Sequence, residues 1–121
     1  MREFNQLVFD DNIKGTTTTW YTPTMLNDDL GRADALVVQA VATAVSGSPS
    51  LTVVLEHSGD GRAWAAVATL ISGWAATESS TTMGRHGFSS AALMQFVRLK
   101  ITLNSASQAA RIKLYATGRS D

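Results

Sequence analysis

Apolar and polar residues alternate with a period of two along several stretches of this chain, and the clearest of them surround one turn. In residues 51–56, Leu51, Val53 and Leu55 share one face and Thr52, Val54 and Glu56 the other. That is the signature of a strand with one side in a core. Ser58-Gly59-Asp60-Gly61 follows. Asp-Gly between two such runs predicts a tight hairpin turn, because primed turns need positive φ, which Gly and Asp tolerate. Trp64 opens the return strand, with Val67 and Thr69 on its side and Ala66, Ala68 and Leu70 on the other. The pattern recurs near the C-terminus. Val97, Leu99, Ile101 and Leu103 oppose Phe96, Arg98, Lys100 and Thr102; then Ala110, Ile112, Leu114 and Ala116 oppose Arg111, Lys113, Tyr115 and Thr117.

The remaining segments fill in a β protein. Residues 16–22, TTTTWYT, are β-branched and aromatic, which suits a pleated surface, and Pro23 ends the run. Residues 26–34 read as a loop or a single helical turn. Residues 35–45, ALVVQAVATAV, carry alanines that favour helix, but their β-branched density, their alternation and the hairpin-like SGSPS beyond them favour a strand. Gly73 interrupts the segment after the central hairpin and predicts a bulge or a new strand entry. Residues 79–92 read as a long loop with at most one short strand. Residues 1–13, with an apolar patch at FNQLVFDDNI, form an N-terminal arm or an edge strand, ahead of a single domain over 14–121. About seven or eight short strands result. An all-β, antiparallel two-sheet β-sandwich, jelly-roll or Greek-key-like, is the economical way to bury their apolar faces.

Composition changes this picture by exclusion. The 121 residues are 45% hydrophobic and 17% charged, ordinary for one globular domain. Ten basic and ten acidic residues cancel, which argues against nucleic acid as a partner. With no cysteine, a disulfide framework, a thiolate metal site and a cysteine nucleophile are excluded. The first residues, MREFNQLVFDDN, lack the apolar core of a signal peptide, and no apolar run approaches the ~18 residues of a membrane span. Synthesis in the cytoplasm and no membrane partner are expected.

Catalytic chemistry is not legible. His57 and His86 are not in metal-ligand spacing, and no serine lies in a nucleophile elbow. Asp10-Asp11 and Asp28-Asp29 are sequence neighbours, which on a strand point apart and cannot converge on one substrate. The Ser58–Gly61 stretch lacks the further ligands of a calcium loop and the context of a phosphate cradle. We therefore expect no enzyme and no cofactor. The aromatics Trp20, Tyr21, Trp64, Trp74 and Phe88 suit either a face stacking on sugar rings or anchors at a protein interface. Arg98, Lys100, Arg111 and Lys113 would share one outward face if the two C-terminal strands paired as a hairpin, calling for acids on a neighbouring strand or on a partner.

The pattern S-x-D-G-x-x-W, carried by Ser58, Asp60, Gly61 and Trp64 after LTVVLEH, resembles a hairpin of discoidin-like sandwiches and of small β-sandwich structural proteins of tailed bacteriophages. QFVRLKITL, with Arg98 beside inward Val97 and Leu99, looks like the strand that pairs with it in both. The two motifs cover roughly a fifth of the chain, residues 51–64 and 95–103. Without cysteines or a leader, the phage likeness fits better than that of the longer, disulfide-closed secreted domains. It implies a virion component, a capsid decoration, head-associated or tail protein. Such a protein would contact copies of itself or a capsid or tail protein; carbohydrate binding is the alternative. Phe4, Leu7, Phe9, Trp20, Tyr21, Arg85, His86 and Phe88 are the candidate contact residues. As a free arm, residues 1–12 would be removable with the fold intact.

Overall fold

The structure, a computed structural model, is described over residues 4–13, 19–26, 35–87, 94–103 and 109–119. Its strands are β1 (Phe4–Ile13), β2 (Thr19–Tyr21), β3 (Met25–Leu26), β4 (Ala35–Ser46), β5 (Ser50–Ser58), β6 (Ala65–Ala75), β7 (Thr81–Gly87), β8 (Phe96–Leu103) and β9 (Ala109–Arg119). One sheet, here sheet A, runs β1-β9-β4-β7; the other, sheet B, runs β2-β8-β5-β6, with β3 also paired to β8. All pairings are antiparallel.

The pairs nest around the hairpin. Its strands β5 and β6 pair with each other, then β4 with β7, β2 and β3 with β8, and β1 with β9, so that Phe4 lies opposite Gly118. A long hairpin with its tip at 59–64, rolled so that successive pairs fall alternately into two sheets, is an eight-stranded jelly roll. Eight is the count when β2 and β3 are taken as one broken edge strand. Pro23 makes the break, since it has no N–H for the ladder. Thr22 bridges it: its N–H donates to the Leu99 carbonyl (3.0 Å) and its buried hydroxyl accepts from the Leu99 N–H (2.9 Å).

The core lies between the sheets, and the expected alternation sets it. Leu51, Val53 and Leu55 of β5 and Val97, Leu99, Ile101 and Leu103 of β8 face Leu36, Val38, Ala40 and Ala42 of β4 and Ala110, Ile112, Leu114 and Ala116 of β9, all buried. Large side chains of sheet B thus sit over the smaller ones of sheet A, which lets two close-packed layers interdigitate.

Several expectations need correction. Segment 35–46 is a strand, but SGSP leads from sheet A to sheet B and is not a hairpin. Here Ala44 has φ +50°, and the Glu78 carboxylate accepts the Ala44 and Val45 N–H groups, each at 3.1 Å. The Ser58–Gly61 turn is wider than a two-residue primed turn, because side chains take over the ladder there. Inside β6, Leu70 and Ile71 are both buried, so alternation fails. The cause is an extra β6 residue between the pairs Val54↔Thr69 and Val53↔Ile71, and a second bulge lies at Gly73 (φ +59°), whose N–H donates to Thr52 Oγ1 at 3.1 Å. Residues 81–87 form a full strand. Strands β8 and β9 lie in different sheets, so the four cations do not share a face. Each arginine finds an acid on an adjoining strand: Arg98 pairs with Glu56 at 2.8 Å and Arg111 with Asp10 at 3.0 Å. Residues 4–13, in the segment expected as an arm or an edge strand, form β1 at the edge of sheet A, with Val8 and Ile13 buried in the core.

Candidate interaction surfaces

At the hairpin tip, polar side chains replace the backbone ladder. The Ser58 hydroxyl, 1% exposed, accepts from Gly61 N–H (2.9 Å) and Asp60 N–H (3.3 Å) and donates to Asp60 Oδ1 (3.0 Å). The same Oδ1 accepts from Arg62 N–H (2.8 Å) and Ala63 N–H (2.9 Å). Those backbone donors, with the Ser58 hydroxyl, hold the Asp60 carboxyl below the usual carboxylate range. Gly61 supplies the positive φ of +76° that turns the chain. Trp64 is thereby delivered onto the outer face of sheet B.

There it meets the second motif. The Arg98 guanidinium lies 4.1 Å from the Trp64 ring centroid and 3.9 Å from that of Tyr21, with its Nε donating to Glu56 Oε1. Four elements contribute: Tyr21 from β2, Glu56 from β5, Arg98 from β8 and Trp64 from the hairpin loop. Glu56 and Arg98 are opposite in register. The two motifs of the phage-like pattern are therefore one interaction. No local pattern marks Tyr21 or Glu56 as its other members, although the outward period of β5 and β8 contains both acid and base. Beside the stack an open groove of about 470 Å³ is lined by His57, Trp64 and Met94, among others. His57 Nδ1 accepts the Met94 N–H at 3.2 Å.

The outer face of sheet A has another character. The registers Leu7↔Tyr115, Gln39↔Tyr115 and Gln39↔Met83 align Leu7, Tyr115, Gln39 and Met83 in one row across all four strands. Its two ends are exposed, Leu7 at 43% and Met83 at 69%. The rows on either side place Thr117, Val37 and Arg85, then Asp10, Lys113, Val41 and Thr81, on that face. Charge is thus confined to its borders and to Lys113. Arg111 holds Asp10 with two hydrogen bonds, which lower the Asp10 carboxyl's affinity for protons.

The candidate contact residues scatter. Leu7 and Arg85 lie on the outer face of sheet A and Tyr21 on that of sheet B. Phe9 and Trp20 pack partly buried against the core, as does Trp74, so none of these three is a free anchor. The reason is register: Trp20 is opposite the buried Ile101, and Phe9 opposite the buried Leu114. His86 is half-buried opposite Leu36. Phe4 begins β1, and Phe88 lies outside the described residues. No cluster of three or more metal-ligating side chains, and no helix able to cross a membrane, occurs among the described residues.

No protein-family profile and no curated protein sequence matches the chain. Solved structures do. The xylan-binding domain CBM22-1 of Paenibacillus barcinonensis Xyn10C aligns over 97% of this chain and 83% of its own length, with TM-score 0.65 and 10% identity. The PBSX exported protein XepA, a phage protein, aligns over 97% of this chain with TM-score 0.61 and 14% identity. A capsid protein of the infectious bursal disease virus T13 particle aligns over 98%, with TM-score 0.62 and 13% identity. The chain spans only 37% of XepA and 31% of the viral protein. At such identities the likeness is one of fold.

Proposed function

We propose that this chain is a non-enzymatic structural protein of a bacteriophage virion. It works through contacts with copies of itself or with a capsid or tail protein. The observation that carries this reading is the row Leu7–Tyr115–Gln39–Met83 on the outer face of sheet A. A sheet face with exposed apolar residues at both edges, a tyrosine between them and few charges offers side chains of the kind that anchor protein contacts. The viral and phage neighbours support the setting.

Magnitude decides what kind of contact. Four strands ~4.8 Å apart and about seven residues long present a face of roughly 450 Å². Stable pairs bury about 800 Å² on each partner, so this face binds weakly by itself and gains strength where many copies repeat it. Light scattering should show mass rising above the 12.9 kDa monomer at high protein concentration. Replacing both Leu7 and Met83 by Lys should return it to the monomer with unchanged thermal unfolding. A mass fixed at 12.9 kDa throughout, together with retained binding of xylo-oligosaccharide, would replace this reading with the second.

That second reading, a carbohydrate-binding module, is favoured by the near-complete coverage of the xylan-binding domain. Against it, Trp20 and Trp74 pack on the core, and the Tyr21 and Trp64 rings already stack on Arg98.

A further inference from the structure

Arg98 is held by its neighbours, and among the described residues its donor fork is only partly used. Its guanidinium lies over two rings, with Cζ 3.9 Å from the Tyr21 centroid and 4.1 Å from that of Trp64. Its Nε is taken by Glu56 Oε1 at 2.8 Å. Among the described residues neither Nη group donates to a protein acceptor, although the side chain is only 20% exposed. A guanidinium offers planar, forked donors that match a carboxylate in bidentate fashion. The two rings hold the guanidinium in place, and its Nη groups are the donors a ligand would meet. The rotamer freedom that binding would otherwise remove is already lost on folding, so the fork is preorganised.

Charge sets the ligand's sign and size. Glu56 neutralises one cation, and Lys100 follows two residues along the outer side of β8, opposite Tyr21 in register. Arg98 and Lys100 against Glu56 leave one excess positive charge, which suits a monoanion. Residue type points to a protein as its source: tyrosine, tryptophan and arginine dominate the residues on which protein interfaces depend. The ring faces turned inward hold the guanidinium, and a pyranose cannot stack there.

We infer that the Tyr21–Arg98–Trp64 stack is a receptor for a carboxylate side chain on a partner protein, seated on the two Nη groups of Arg98. This rests on the protein-contact reading above, but it concerns the outer face of the opposite sheet, so each can fail without the other. The test is a titration of the intact, ¹⁵N-labelled protein, following the Arg98 Nε–H and Trp64 indole N–H signals by NMR. The probes are a blocked Gly-Glu-Gly peptide, its Gly-Gln-Gly counterpart and sodium glucuronate, at constant ionic strength. Saturable shifts with the glutamate peptide are expected, at least fivefold weaker with the glutamine peptide and in Arg98→Lys, which keeps the charge and loses the fork. Should Arg98→Lys not fold, Tyr21→Leu, which leaves the Arg98–Glu56 pair in place, should weaken binding about threefold. Equal response to both peptides, or no loss in either variant, would overturn the inference. Glucuronate binding tenfold tighter than the glutamate peptide would also overturn it, in favour of an acidic sugar.

Discussion

Asp60 organises the hairpin tip through a single oxygen, which takes two backbone N–H groups and the Ser58 hydroxyl. These bonds favour the charged carboxylate, so its folded pKa lies below the unfolded value of about 3.9. The folded state then binds fewer protons than the unfolded one. Its contribution is complete above about pH 4 and is lost as pH falls through the depressed folded pKa. Asp10 behaves in the same direction through Arg111, so acid sensitivity is shared between them. A comparison with Asp60→Ala isolates one share: in urea unfolding, wild type should exceed the variant at pH 7, and the gap should shrink towards pH 2–3. Asp60→Asn, whose amide oxygen still accepts the Arg62 and Ala63 N–H groups, should fall between them. A gap independent of pH would mean that the carboxylate's charge does not hold the loop.

Among the elements, β1 carries the sharpest consequence. It covers the edge of β9 along its length and seals the core with Val8 and Ile13. Removing residues 1–12 would bare that edge and uncover apolar side chains, costing several kcal/mol by apolar area alone. We expect the truncated chain to melt at least ~10 °C lower or to aggregate, seen by calorimetry. An unchanged melt would restore the free-arm expectation. The pairing of β1 with β9 marks the limit of what a local pattern encodes. Strands and their inner faces in 51–56, 96–103 and 110–117 were legible because a period of two is local and burial on one face enforces it. Partners were not, because the partner of Phe4 lies at Gly118 and no local pattern encodes it. The same gap led to four cations on one face, although β8 and β9 are in different sheets. It also hid the stack, since Arg98 and Trp64 stood in recognisable motifs while Tyr21 and Glu56 reach them only through pairing. At the tip the error was one of chemistry: Asp-Gly signals a two-residue turn unless, as here, Ser58 and Asp60 side chains satisfy a wider one.

The molecule as a whole presents two unlike faces, one on sheet A with Leu7 and Met83 exposed at its edges and one on sheet B with a stacked arginine. An assembly using both would be heterologous, each copy offering different surfaces to different neighbours, as a lattice or ring requires. That use demands that the two sheets keep a fixed relation, and the sandwich is closed most tightly along the seam between β6 and β7, the outer strands of sheets B and A. A Cβ on Gly84 of β7 would collide with the Leu70 carbonyl of β6. The obstacle is backbone, which cannot swing aside as a side chain tip can, so Gly84→Ala must separate the two strands. Overpacking of this kind costs about 1–3 kcal/mol and more where the backbone has to move. We expect Gly84→Ala to lower stability by about 3 kcal/mol in urea unfolding, because the seam is a joint of the whole sandwich. The concentration-dependent rise in mass expected under the proposed function should weaken with it even though Leu7, Met83 and Arg98 are untouched, since prising the seam apart tilts one face against the other. A Gly84→Ala protein as stable as wild type would show that the seam yields freely, and the two faces would then not be held as one rigid body.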